Sequence, residues 1–192
     1  ASSASLEASR LIHSKGGGLA EETGAETDFR DVSRDLPQVS VSLCTCGGAV
    51  GDTVDLDALT EGLKAQGSVG PIHRIEGMCT KEGWDELQED LTDTEANRVL
   101  IGACMPYAYA PKLRQLGDTI GLNPVLMDVV DIRMPASGNG EGDKSLATQQ
   151  VETILSMGVS KLKGIDPLPR PVKRITQKAL VVGGGIAGMT SA

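Results

Sequence analysis

The chain has 192 residues, with 26 Asp and Glu against 18 Lys and Arg, which gives a formal net charge of -8. This acidity and an aromatic content of 2% argue against a nucleic-acid-binding protein, which needs a cationic face and stacking side chains. The 40% of apolar residues suffice for a packed core, and no run of about 18 of them predicts a membrane span. The first residues lack the basic-then-apolar pattern of a signal peptide, so we expect a cytoplasmic protein.

The first segment, residues 1–37, is rich in Ala, Ser, Gly and acidic side chains. Such a segment buries too little apolar surface to order itself, so we predict a flexible acidic arm. An arm that becomes ordered on a partner protein is the alternative interpretation.

The central segment, residues 38–164, alternates four times between strand and helix periodicity. The predicted strands are 39–43, 71–75, 98–101 and 124–130, and the predicted helices are 55–64, 80–91, 109–120 and 144–163. Asp55 and Thr80 are the expected N-caps of the first two helices, Pro111 belongs to the first turn of the third, and a Gly-rich loop over 137–143 precedes the fourth. The alternation predicts an α/β domain, with a parallel sheet of about four strands flanked by helices in a Rossmann-like arrangement.

The last segment begins with a proline-containing linker over 165–178. A predicted strand over 179–182 then leads into a G-x-G-x-x-G motif made by Gly183, Gly185 and Gly188, which in this context is typical of a dinucleotide-binding fold. These glycines let a pyrophosphate approach a helix N-terminus. The acidic residue that contacts the ribose, expected about 20 positions later, falls beyond Ala192. Residues 179–192 therefore predict the truncated start of a second dinucleotide-binding domain.

Cysteine positions give the strongest functional signal. Cys44 and Cys46 follow the first predicted strand, Cys79 follows the second and Cys104 the third. The ends of parallel strands meet at one sheet edge, so we expect the four thiols to converge there. Disulfides are typical of small secreted domains with poor cores, which this chain does not resemble. Four converging thiolates suit either Zn²⁺ or an iron–sulfur cluster, whereas inert buried thiols are the alternative.

Three further side chains are weaker candidates for this site. His73 lies inside a predicted strand, where a structural role is more common than a ligand role. Tyr107 and Tyr109 either shield a cofactor or pack at the start of a helix. A thiol-based catalyst would need a low-pKa cysteine beside a base, and no histidine or lysine near the C-x-C pair supports one.

Several motifs together carry a family resemblance. They are Leu43-Cys44-Thr45-Cys46-Gly47-Gly48, Met78-Cys79, Ala103-Cys104-Met105-Pro106, Gly121-Leu122-Asn123-Pro124 and Asp131-Ile132-Arg133. In this order they resemble the N-terminal region of the A subunit of heterodisulfide reductase, an iron–sulfur flavoprotein family. The segment from Val181 to Gly188 is similar to the start of that family's FAD domain, and the resemblance covers about residues 39–192.

The resemblance implies an electron-transfer module that relays electrons between a [4Fe-4S] cluster and FAD within a multi-subunit oxidoreductase. By position, the cluster ligands would be Cys44, Cys46, Cys79 and Cys104. The implied partners are the other subunits of a heterodisulfide-reductase-like complex and a redox partner protein, and residues 1–192 alone would not be catalytic. A non-catalytic docking domain and a structural zinc domain are the alternatives.

Two departures from the family pattern accompany the resemblance. The family often has a further cysteine shortly after the string that is Asp131-Ile132-Arg133 here, and this chain continues with Met134 instead. The family also tends to carry Arg and His after the last matched cysteine, where this chain has Tyr107 and Tyr109.

Overall fold

The computed structural model describes residue 10 and residues 29–138, 143–167 and 184–191. Within these ranges the strands are β1 (Val39–Cys44), β2 (Val69–Ile75), β3 (Arg98–Ala103) and β4 (Met127–Asp131). The helices with described bounds are α1 (Ala49–Thr53), α2 (Leu56–Lys64), α3 (Lys81–Thr92), α4 (Pro106–Ile120), α5 (Arg133–Gly138), α6 (Lys144–Lys163) and α7 (Ile186–Ser191).

The strands form one parallel sheet in the order β2-β1-β3-β4. The chain therefore steps from β1 to one neighbour, and then crosses to β3 on the other side of β1. At this reversal Val39 pairs with Arg98, and the register continues to Leu43 beside Gly102. The predicted α/β class, with a parallel sheet flanked by helices, is confirmed.

Helices cover both faces of the sheet. Successive side chains of a strand point to opposite faces, so Ile101 belongs to one hydrophobic cluster and Leu100 to the other. Residues of α3 and α4 complete the first cluster, and residues of α2 and α6 complete the second. Because β1 lies between two covered faces, its serines Ser40 and Ser42 are buried although their alternation with apolar residues is typical of a half-exposed strand.

The two predicted helix caps are present. The Asp55 carboxylate accepts hydrogen bonds from the backbone N–H groups of Asp57 and Ala58 at the start of α2. The Thr80 hydroxyl accepts one from the Gly83 N–H at the start of α3. Each cap satisfies a donor that the helix itself leaves free, so these boundaries followed from local chemistry.

Two predicted boundaries are wrong, and both involve proline. Helix α4 begins at Pro106 instead of near Tyr109, so Pro111 lies inside the helix. Pro106 has the backbone angle of a first helical residue and needs no N–H partner there, which makes it the better start. Likewise, Pro124–Leu126 is a turn of 3-10 helix, and the fourth strand begins only at Met127.

The predicted loop over 137–143 also needs correction. Ser137 and Gly138 belong to α5, a short helix that the sequence patterns did not predict. Asp131 caps its beginning, because its carboxylate accepts hydrogen bonds from the N–H groups of Arg133 and Met134. The segment 139–142 lies outside the described residues.

Before β1, the described residues 29–37 contact the sheet domain. The Arg30 N–H donates to the Gly121 carbonyl at 2.8 Å, and its guanidinium donates to the Ala96 carbonyl. Val32 is buried in the cluster that contains α3 and α4. The domain boundaries at 37, 164 and 178 stay predictions, and the predicted strand over 179–182 lies outside the described residues.

Candidate functional site

The four cysteines lie at one edge of the sheet. Cys44 is the last residue of β1, Cys46 follows it after one residue, Cys79 lies between β2 and α3, and Cys104 lies between β3 and α4. Because β1 lies between β2 and β3, the four cysteines lie at or just beyond the carboxyl ends of three adjacent strands. This is the edge at which open α/β sheets bind ligands, beside the reversal of strand order between β1 and β3.

The thiols differ in accessibility. Cys44 and Cys104 are buried, Cys46 is half-buried and Cys79 is exposed, and none of the four forms a disulfide. The sulfur atoms of Cys44 and Cys46 are 3.6 Å apart. Cys46, Cys79 and Cys104 line a pocket of about 530 Å³ at the sheet edge. Within the described residues, no group of three or more Cys, His, Asp or Glu side chains is arranged to hold one metal ion.

The backbone is strained beside two of the cysteines. Among the described residues, Cys46 with φ 51° and Met105 with φ 47° are the non-glycine residues in the left-handed region. Gly47 and Gly48 continue this conformation after Cys46, with φ values of 64° and 91°. Such conformations cost free energy and persist where the surrounding structure requires them, often at binding sites.

Hydrogen bonds attach this strained loop to the end of the neighbouring strand. The Thr45 N–H donates to the Ile75 carbonyl at 2.8 Å, and the Gly47 N–H donates to the Glu76 carbonyl at 2.9 Å. The residues on either side of Cys46 are therefore fixed to the segment that leads from β2 toward Cys79. The positions of two cysteine loops are coupled through the backbone.

A close approach fixes the loop that carries Cys79. A Cβ atom on Gly83 would lie 2.2 Å from the Gly77 carbonyl oxygen, so only glycine allows the first turn of α3 to pack against this loop. Cys79 directly precedes the Thr80 cap of α3, and Cys104 directly precedes Met105, the N-cap residue of α4. Helix N-termini favour nearby negative charge, which suits thiolates at both positions.

Electrostatics favour the protonated form of the Cys46 thiol in the metal-free chain. Burial, followed by the charge of Cys44, the hydrogen bond to Cys44 and the charge of Cys104, raises the pKa of Cys46 to about 12, whereas Arg133 acts in the opposite direction. Glu76, Glu82 and Glu86 also line the pocket, with Arg133 as the basic residue of that lining. A thiol in this state is a poor nucleophile, which disfavours the thiol-based catalyst. A metal would have to displace the proton.

Tyr109 is buried in the same part of the core as two of the cysteines. It belongs to the hydrophobic cluster that contains Cys44 and against which Cys46 packs. Its ring is 3% exposed, and its hydroxyl is buried with no hydrogen-bond partner in the described structure. Burial, followed by the charges of the four cysteines, raises the pKa of Tyr109 above its ordinary value of 10.0. Tyr107, by contrast, is 77% exposed.

His73 has a structural environment, in line with the role favoured for it. It lies in β2, and its Nδ1 atom is 3.1 Å from a carboxylate oxygen of Asp90. It does not line the pocket that three of the cysteines share.

Comparison with known proteins identifies the family. No family model matches the chain. It is 30% identical over 174 residues to the A subunit of the H(2):CoB-CoM heterodisulfide,ferredoxin reductase of Methanothermobacter thermautotrophicus, a match that covers 91% of this chain and 26% of the relative. The chain is a relative of the heterodisulfide reductase A subunit. The resemblance inferred from the sequence motifs is therefore confirmed.

Other relatives of this kind match to a similar degree. A protein of Archaeoglobus profundus that is named as similar to the heterodisulfide reductase A subunit is 29% identical over 161 residues, covering 84% of this chain and 23% of the relative. The second iron-sulfur A subunit of the CoB--CoM heterodisulfide reductase of Methanopyrus kandleri is 28% identical over 161 residues, covering 84% and 24%. The chain thus spans about a quarter of the length of these relatives.

The predicted FAD-binding glycines are described only in part. Gly183 lies outside the described residues, Gly185 directly precedes α7, and Gly188 lies within this helix. Added Cβ atoms on Gly184 and Gly185 would meet no other group within 4 Å. Across the described part of this heterodisulfide reductase relative, no helix is both long and apolar enough to cross a bilayer.

Proposed function

We propose that the chain is an electron-transfer module of a heterodisulfide-reductase-like iron–sulfur flavoprotein. In this proposal Cys44, Cys46, Cys79 and Cys104 hold one [4Fe-4S] cluster. The observation that carries the proposal is that three adjacent strands deliver four cysteines to one edge of the sheet, at the reversal of strand order. The name of the Methanopyrus kandleri relative, which includes the word iron-sulfur, supports it.

The residues at this edge fit such a cluster chemically. Four thiols form the donor set, and thiolates are the preferred ligands of iron–sulfur clusters. The pocket of about 530 Å³ offers space next to Cys46, Cys79 and Cys104. The unpartnered Tyr109 hydroxyl and the helix N-termini after Cys79 and Cys104 are suited to a group of negative charge.

The burial of the thiols indicates how the chain would serve electron transfer. A bound [4Fe-4S] cluster takes up and releases electrons at a potential that its surroundings tune. Cys44 and Cys104 would exclude water from the inner side, because both are buried against the core. Exposed Cys79 would leave the outer side open to a redox partner protein.

The remainder of the proposal concerns the longer protein. We propose that Gly183, Gly185 and Gly188 begin an FAD-binding domain that would exchange electrons with the cluster. The start of α7 directly after Gly185 supports this assignment. The partners would be the other subunits of a cytoplasmic heterodisulfide-reductase-like complex, and residues 1–192 would transfer electrons without catalysing a reaction alone.

Metal analysis of the anaerobically prepared chain tests the cluster. We expect about four irons and about four sulfides per chain, the composition of a [4Fe-4S] cluster. Cys79→Ser should lose most of both, since a hydroxyl is a poor iron–sulfur ligand. Thr45→Ser is the matched control, because Thr45 lies between Cys44 and Cys46 and keeps a hydroxyl in the variant. Equal iron content in the Cys79→Ser chain and the wild type would contradict the ligand assignment.

A structural zinc site is the second candidate. Two thiolates on one tetrahedral Zn²⁺, with bonds of about 2.3 Å, are about 3.8 Å apart. The sulfur atoms of Cys44 and Cys46 are 3.6 Å apart, which is close to this spacing. A colourless chain with one zinc and no sulfide would replace the cluster proposal with this one. Rapid labelling of all four thiols in the folded anaerobic chain would instead favour a docking domain without metal.

A further inference from the structure

Among the described residues, the hydroxyl group of Tyr109 has no hydrogen-bond partner, although it is buried. The residue is 3% exposed, and within the described structure no group accepts from or donates to its oxygen. A buried hydroxyl without a hydrogen bond is costly, because folding removes its water and returns nothing. Such a group in a native protein calls for a partner beyond the residues that the structure describes.

The aromatic ring is held in a defined position. Trp84 stacks against it with ring centroids 5.9 Å apart and an interplanar angle of 27°. The Lys112 ammonium lies 4.7 Å from the centre of the Trp84 ring and 6.0 Å from that of Tyr109. These contacts restrict the direction in which the hydroxyl can point, so its environment is a property of the fold.

Two of the cysteines pack in the same part of the core as Tyr109. Its hydrophobic cluster includes Cys44, and Cys46 packs against that cluster. After burial, Cys104, Cys44, Cys79 and Cys46 contribute to the raised pKa of Tyr109, so all four cysteines lie near its hydroxyl. A phenol with an ordinary pKa near 10 is protonated at neutral pH and can donate, and thiolate or sulfide sulfur can accept.

We propose that Tyr109 donates a hydrogen bond to a sulfur atom of the group held by the four cysteines, and so raises its reduction potential. The proposal rests on the cluster proposed above. The hydrogen bond offsets negative charge on sulfur, and the reduced state carries more of that charge. The bond therefore stabilises the reduced state more strongly, and its loss should lower the potential.

The Tyr109→Phe variant of the full chain tests the proposal, with Tyr107→Phe as the matched control on the exposed side of α4. Both chains are reconstituted anaerobically with iron and sulfide, and the midpoint potential is followed by electron paramagnetic resonance. We expect Tyr109→Phe to shift the one-electron equilibrium about tenfold, or about 59 mV toward lower potential. Tyr107→Phe should match the wild type. Equal potentials in all three chains would overturn the proposal. A buried water molecule that accepts the hydrogen bond of the Tyr109 hydroxyl in place of sulfur would also overturn it.

Thermal unfolding of the metal-free chains gives a second readout. The phenylalanine keeps the ring and removes the unpartnered hydroxyl, so metal-free Tyr109→Phe should melt at a higher temperature than the metal-free wild type. A lower melting temperature would indicate a partner within the protein and contradict the proposal. A wild type that binds no iron and sulfide overturns the cluster itself, whereas a loaded wild type with an unshifted Tyr109→Phe overturns only the role of Tyr109.

Discussion

The two ends of the parallel sheet bury polar groups in opposite ways. At the amino end, the guanidinium of Arg98 is 3% exposed and donates to the carbonyl oxygens of Leu162 and Asn97. The Asn97 side chain in turn donates to the Leu36 carbonyl. Burial lowers the pKa of Arg98, and the fold offsets that cost with fixed acceptors. At this end, buried polar groups therefore form hydrogen bonds with one another.

At the carboxyl end the fold leaves polar groups incomplete. The Tyr109 hydroxyl lacks a partner among the described residues, and the four cysteines form no disulfide. Strained backbone at Cys46 and Met105 lies at the same end. Buried polar groups are thus satisfied within the fold at the amino end, whereas at the carboxyl end a ligand would supply the missing interactions.

The largest expected loss of stability follows from disrupting the hydrogen bonds at the amino end of the sheet. Arg98→Met removes the donor while it leaves the Leu162 and Asn97 carbonyls buried, so the free energy of unfolding should fall by about 3 kcal/mol. Urea denaturation measures this. Arg114→Met, on the exposed surface of α4, is the control and should stay within about 0.5 kcal/mol of the wild type. Equal losses in both variants would show that the buried network adds no stability.

The next largest expected effect is a loss of stability and of iron binding at the carboxyl end of the sheet. Gly83→Ala would place a Cβ atom 2.2 Å from the Gly77 carbonyl oxygen, so α3 or the Cys79 loop must move. Overpacking of this kind costs about 2 kcal/mol, and we expect iron retention per folded chain to fall with it. Urea denaturation and iron analysis measure the two effects.

Gly51→Ala is the control for Gly83→Ala. Its added Cβ atom would meet only Leu56 Cδ1 at 3.5 Å, an ordinary contact. The Gly51→Ala chain should therefore keep the stability and iron content of the wild type. If Gly83→Ala behaves in the same way, the close packing of α3 does not position Cys79.

Some features of the carboxyl end of the sheet could be predicted from the sequence, because they depend on local chemistry. Strand periodicity put Cys79 and Cys104 after two successive strands of the chain, and the Thr80 cap marked the helix that follows Cys79. The start of α4 was harder, since Pro106 and Pro111 can each occupy a first helical turn. The position of the Tyr109 hydroxyl depends on contacts between α3 and α4, which periodicity does not encode.

The smallest expected effect contrasts two helix starts. The Asp55 carboxylate caps α2, whereas the N-cap residue of α4, Met105, makes no side-chain capping hydrogen bond. The hydrogen bonds from Ala58 and Asp57 hold the pKa of Asp55 below its ordinary value of 3.8. The folded state therefore favours the charged form, so the stabilisation is present above the unfolded pKa and is lost as the pH falls through the folded pKa.

Replacement of the cap separates its charge from its hydrogen bonds. Asp55→Asn keeps an acceptor oxygen without a titrating group, so its unfolding free energy at pH 7 should stay near that of the wild type and decline less on acidification. Asp55→Ala should be less stable than Asp55→Asn both at pH 7 and after acidification, because it removes the acceptor. Asp31 also has a lowered pKa, so only the difference between variants reports on Asp55. Parallel stability curves for wild type and Asp55→Asn would mean that the charge of the cap adds nothing, and that its hydrogen bonds alone distinguish the start of α2 from that of α4.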